Sequence, residues 1–371
     1  MQMKIGRIGQ KGNFCLYSFL MVLVWLAATV SLSADEFPVK ERYYRGQFIG
    51  ARAMGMGGAF VAVANDATAA YWNPAGLSQL ITNQMMAVYI LDNNNEIKLY
   101  DILEPGQRLK RKQLIFMGLT SQKGGFYWKP LVNLKQEDVY NRVTNPDGST
   151  TETWSDQEYT LNAYGLTLAD RSGFLSFGVN IKYLSGKLGV AEKRKVNSAW
   201  EEPEASISNG KGVGMDCGLM ILGDHLNIGL MVSNILNRIW WEDYSDMTLE
   251  ADGNLGLALH TRGLTLAGDV HQKFKKRANV WYHLGLEIEP FNRGSKNGRG
   301  AGVPVFGRVF LRAGAFIKKR IDTNQSGYTA GVGYCRGPLI VDNAFLEEAK
   351  ENDDNSLGRT RMYQLSMSIA F

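Results

Sequence analysis

The sequence predicts an all-β protein: a transmembrane antiparallel β-barrel of about fourteen strands with an N-terminal helical plug. Three observations predict it. Segments of period-two alternation recur from residue 83 to the end of the chain. The connections between them alternate between long and tight. A Gly- and Ala-rich stretch with almost no charge, residues 50–80, precedes every strand-like segment.

The 371 residues are 21% charged and 45% hydrophobic. That balance suits a soluble protein, and equally a barrel whose alternating strands average out. Three parts are expected: a signal peptide over 1–33, an N-terminal extension and plug over 34–82, and a barrel over 83–371. Lys4, Arg7 and Lys11 form a positive n-region, Phe14 to Val30 is apolar, and Ser31-Leu32-Ser33 offers small residues for cleavage. Losing those three cations takes the formal charge from +5 to +2, which leaves no footprint for a nucleic-acid partner. The one basic cluster, Lys273 to Arg277, falls in a connection and could touch anionic lipopolysaccharide.

Within the plug, Gly50, Gly55, Gly57 and Gly58 recur closely, costly in a free helix but permitting tight backbone packing. Arg52 is a cation among Met54, Met56 and Phe60. Asp66 is read as the N-cap of a short helix over Ala67 to Trp72. Asn73-Pro74 ends that helix, and Gly76 turns the chain toward the first strand.

The expected strands are 83–91, 111–119, 125–133, 157–169, 173–184, 211–222, 225–234, 253–260, 263–271, 279–289, 305–317, 327–336, 338–345 and 362–371. The last is the clearest: Tyr363, Leu365, Met367, Ile369 and Phe371 share one face, and Gln364, Ser366, Ser368 and Ala370 the other. An apolar face outside and a polar one inside suits a lipid-facing wall around a polar interior. A change of phase near Ala163-Tyr164 suggests a bulge. Residues 92–110, 134–156, 185–210 and 235–252 read as long loops, whereas 121–124, 170–172, 223–224 and 261–263 read as tight turns; two connections depart from the pattern, 272–278 being short for a loop and 290–304 long for a turn.

The run from Gly50 to Leu77 resembles the signature of the PorV/PorQ family of outer-membrane barrels, relatives of the FadL-like superfamily. Leu266 to Val270, Leu284 to Glu287, Leu311 to Gly314, Val341 to Phe345 and Leu357 to Arg361 resemble further parts of it. Asn343, where an aromatic is expected, and the Gly-rich insert 292–302 depart from it. The resemblance implies a non-enzymatic protein of a Gram-negative outer membrane, acting as a secretion-associated scaffold or shuttle factor of the type IX system. The alternative it implies is a passive channel for hydrophobic small molecules. Implied partners are outer-membrane lipid and lipopolysaccharide, secretion-system proteins or a hydrophobic ligand, and the barrel-assembly machinery, which would read a terminal aromatic such as Phe371.

Alternation turns Asp216, Asp269, Glu287, Arg308, Arg312 and Asp342 inward, where charges of both signs should pair, with Arg52 as one partner. His260, His271 and His283 fall on inward faces without a serine motif beside them, so lumen hydrogen bonding is expected rather than catalysis. No metal-binding spacing occurs, no cofactor is expected, and Cys217 and Cys335 lie in different strands. Trp240 and Trp241 are read as interfacial anchors in the fourth long loop. Met54, Met56, Phe60 and Tyr71 would line any apolar route past the plug. The charged long loops tilt the reading toward the scaffold.

Overall fold

The computed structural model describes residues 48–91, 96–98, 108–110, 114–197, 199–274, 280–290, 307–319, 324–351 and 357–371. The expected signal peptide, the Gly-rich insert and the end of the basic run lie outside these residues.

Fourteen strands form the wall. They are β1 (Gln84–Ile90), β2 (Leu114–Ser121), β3 (Gly124–Thr144), β4 (Thr150–Ser172), β5 (Leu175–Val196), β6 (Glu204–Leu222) and β7 (Leu226–Trp241). Then come β8 (Asp252–Thr261), β9 (Leu264–Lys273), β10 (Val280–Ile288), β11 (Arg308–Lys319), β12 (Asn324–Arg336), β13 (Leu339–Glu351) and β14 (Leu357–Ala370). Each pairs antiparallel with its neighbours in sequence, and β1 pairs with β14 from Gln84–Ala370 to Ile90–Gln364, so the sheet closes. Closure leaves no free edge, the condition for crossing hydrocarbon with strands. Each expected strand is present.

The wall sorts its side chains by parity. Met85, Leu119, Leu166, Phe177, Leu257, Leu284, Met367 and Ile369 are exposed on the outside, in keeping with a lipid-facing belt. The inside departs from the expected polar lining. Met86, Val88, Ile90, Ile115 and Phe116 point inward and pack with the Ala-rich N-terminal segment in one dry cluster. A filled lumen needs no water-facing wall, so apolar residues occupy both faces of β1.

All four expected long loops are partly or largely ladder: residues 96–98 pair with 108–110 in the first, and β7 runs on to Trp241 in the fourth. β3 and β4 continue as a hairpin to a turn near Asn145, and β5 and β6 pair from Leu175–Ile221 to Glu192–Glu204. These extensions are rich in polar and charged residues, so their composition resembles a loop. The bulge also lies elsewhere: β4 keeps its phase, and the register slips in β3 between Pro130 and Val132. What changes near Ala163 is which face is apolar. Tyr159, Leu161 and Ala163 point inward into a second cluster with Leu184, Leu188 and Trp241, whereas Leu166 and Leu168 point outward. Trp241 therefore ends β7 as a buried packing residue, with its ring 5.8 Å from that of Tyr159, and only Trp240 is exposed. Cys217 and Cys335 are both free.

The N-terminal segment is less helical than expected. It contains α1 (Ala51–Gly55), α2 (Ala69–Trp72) and a 3-10 turn over Pro74–Gln79, joined by tight turns. Helix α2 starts after Thr68 rather than after Asp66, because the Asp66 carboxylate accepts from the Thr68 N–H and hydroxyl. Asn73 caps the 3-10 turn by accepting from the Ala75 N–H.

Candidate functional site

Segment 48–80 binds the wall all round its circumference. The Ala51 N–H donates to Ser366 of β14, and the Gly57 N–H donates to Thr329 of β12. The Ala67 N–H donates to Gln84 of β1, and Asn180 of β5 donates to the Ala70 carbonyl. The Asn73 side chain donates to the carbonyls of Leu219 on β6 and Leu230 on β7. A segment this buried that touches opposite sides of a closed sheet lies in the lumen. Its backbone polar groups find wall side chains because few belong to regular helix.

One close approach of the segment to the wall is at Gly57. Its φ of +66° is a left-handed conformation, and a Cβ there would lie 2.6 Å from the Leu284 carbonyl and 2.7 Å from the Ala315 nitrogen. Wall residues Gly285 and Gly314, paired across β10 and β11, make the room. Their role is absent from the reading of the plug, since a glycine in a strand looks like any small residue. Beside them His283 Nδ1 lies 2.7 Å from the Gly57 carbonyl and donates to it. His260 contacts Asn227 and Thr265, and His271 lies 3.2 Å from Asp252.

The inward charges occupy four places rather than one. On the side of the short turns, Arg52 donates two hydrogen bonds of 2.8 Å to Glu287 and one to Asn65, with Asp66 at 3.7 Å. Arg312 joins the same Glu287 to Asp342 through two 2.6 Å contacts. This chain fastens α1 to β10, β11 and β13. Asp269 accepts from the backbone N–H groups of Phe60 and Val61 at 2.7 and 2.8 Å. Asp216 lies on the other side of the plug, held by Lys182 at 2.5 Å, Asn180 and the Asn234 N–H. Arg308 is a half-exposed rim residue paired with Glu289.

Two spaces flank the plug. A charged cleft at the short-turn mouth includes Arg52, Asp66, His260, Glu287 and Arg312. On the long-hairpin side a cavity of about 180 Å³ rests on the plug. Phe48, Val61, Tyr71 and Trp72 form its floor, and Leu131, Met231, Trp281 and Lys129 are among its walls. Of the residues expected along an apolar route, only Tyr71 lines it. Met54, Met56 and Phe60 are fully buried packing residues. The cavity's wall residues escape sequence reasoning because they come from many strands. The legible signal is local: Lys129 is inward by alternation beside outward Phe126.

No protein-family model and no curated protein matches the chain. Solved structures do. The CymD monoaromatic hydrocarbon channel aligns with a TM-score of 0.50 at 12% identity, over 87% of this chain and 97% of that one. The chain therefore shares the barrel fold of that structure. The Ralstonia pickettii toluene transporter TbuX aligns at 0.49 and 11%, over 87% and 98%. The Pseudomonas putida toluene transporter TodX aligns at 0.48 and 12%, over 88% and 98%.

Proposed function

We propose that this chain is an outer-membrane channel for small hydrophobic molecules, a non-enzyme of FadL-like type. The observation that carries the reading is the aromatic-lined cavity seated on the plug inside a closed membrane-type barrel. Concave, mostly apolar sites with a few placed polar groups are what small ligands occupy. The likeness to the CymD monoaromatic hydrocarbon channel supports the same reading. The scaffold reading of PorV/PorQ type is weaker. It drew on long polar loops, and those segments are largely ordered strands carrying exposed aromatics such as Tyr140 and Trp200.

The test is uptake in Gram-negative cells whose outer membrane carries the protein, because lipopolysaccharide slows entry of hydrophobic solutes there. Radiolabelled toluene should enter several-fold faster than in cells with empty vector, and sucrose should not. Unchanged toluene uptake, or sucrose uptake raised by the same factor, would contradict the proposal.

A further inference from the structure

At one point the plug is a single side chain thick. Trp72 lines the cavity on the long-hairpin side, and Arg52 lines the charged cleft at the short-turn mouth. Phe60 lies between them, fully buried and lining neither space. The Trp72 ring meets it edge-on with centroids 6.1 Å apart, and the Arg52 guanidinium stands 5.4 Å from its centre. Along this column one aromatic ring separates the two sides of the plug.

The backbone of Phe60 is pinned and its ring is not. The Phe60 N–H donates to Asp269, and the Phe60 carbonyl accepts from the N–H groups of Val63 and Ala64. The ring is held by packing, so a change of rotamer breaks no hydrogen bond. Other parts of the plug yield less. At Gly57, plug backbone meets the backbone of a closed ladder. At Ala67, Ala70 and Asn73, the plug is hydrogen-bonded to the wall. The two neighbours of the ring are also tied. Trp72 donates its indole N–H to the Ile49 carbonyl, and Arg52 binds Glu287 and Asn65. Both stay in place when the Phe60 ring turns, so space opens between them instead of closing.

We infer that Phe60 is the constriction of the transport path: a solute leaves the cavity past Trp72, displaces the Phe60 ring, and reaches the short-turn mouth beside Arg52. This inference rests on the channel reading and adds to it the place of crossing and the residue that limits it. The ring also sets what crosses. A passage bounded by aromatic rings gives an ion little in exchange for its water, so neutral apolar solutes pass and ions do not.

Planar-bilayer recording of the purified full-length protein tests the constriction, and toluene uptake in the cells described above tests its use. Phe60→Ala should show a steady ion conductance where wild type shows none, because the hole joins two polar spaces and fills with water. Leu77→Ala truncates another fully buried plug residue that lines neither space, and it should stay closed. Phe60→Trp should slow toluene uptake several-fold while the barrel remains heat-modifiable on SDS gels. If Phe60→Ala does not assemble, Phe60→Val decides by the same recording. A closed Phe60→Ala, or unchanged uptake in Phe60→Trp, overturns the inference and leaves the channel standing when wild type takes up toluene. Equal conductance in Leu77→Ala and Phe60→Ala also overturns it, since any loosening of the plug would then leak. Failure of both Phe60 truncations to assemble, with Leu77→Ala assembled, overturns it by assigning Phe60 a packing role only. Absence of toluene uptake in wild type overturns the channel reading and the inference together.

Discussion

Gly57→Leu is expected to lower the temperature at which the folded barrel converts to the slow-migrating form on SDS gels. Two costs add. The side chain must occupy space held by the Leu284 carbonyl and the Ala315 backbone, and overpacking of this kind costs about 1–3 kcal/mol. The left-handed φ of +66° adds about 1–2 kcal/mol for a residue with a bulky Cβ. Backbone that belongs to a closed ladder cannot retreat, so the plug must. Gly148→Leu separates the two costs, because Gly148 has a similar φ of +81° and nothing within 4 Å of a Cβ. It should pay the conformational part alone. Equal midpoints for the two variants would mean that the plug does not press against β10 and β11.

Glu287→Gln should be nearly as damaging for a different reason. The substitution keeps the shape and removes the charge that Arg52 and Arg312 share. The Arg312 side chain is only 2% exposed, and the substitution leaves Asp342 as its remaining counter-ion. Breaking a buried pair from one side costs about 3–5 kcal/mol, and the amide's residual hydrogen bonds put the expected loss near the lower figure. Adding Arg52→Met to Glu287→Gln should recover part of it, since one stranded cation is then gone. Urea midpoints of the three proteins in detergent check this. A loss below about 0.5 kcal/mol for the single variant would place the network among exposed pairs of little weight.

The strands were legible because lipid outside and protein inside make opposite demands on adjacent residues. Tyr363 to Phe371 shows this most plainly, with Gln364, Ser366 and Ser368 buried and Met367 and Ile369 exposed. The same rule failed for the hairpin extensions of β3 to β6, where polar and charged residues fall on both faces. It also misplaced Trp241, whose cluster lies inside the hairpins. Arg52 could be linked to the inward charges because charge is scarce in the plug, and it binds Glu287. The sharing of that network among four places could not be read, since it depends on which strands the plug reaches. Gly285 and Gly314 stayed silent because their meaning lies in a backbone far away in sequence, at Met56 and Gly57.

The central claim is that residues 48–80 fill the lumen and that small ligands enter above them. Single-channel recording of the purified full-length protein in a planar bilayer tests it most directly. The account predicts insertion without a steady ion-conducting pore, because the plug is sealed to the wall around its circumference. Large stepwise conductance of the kind an open, water-filled porin shows, in the intact wild-type chain, would contradict it.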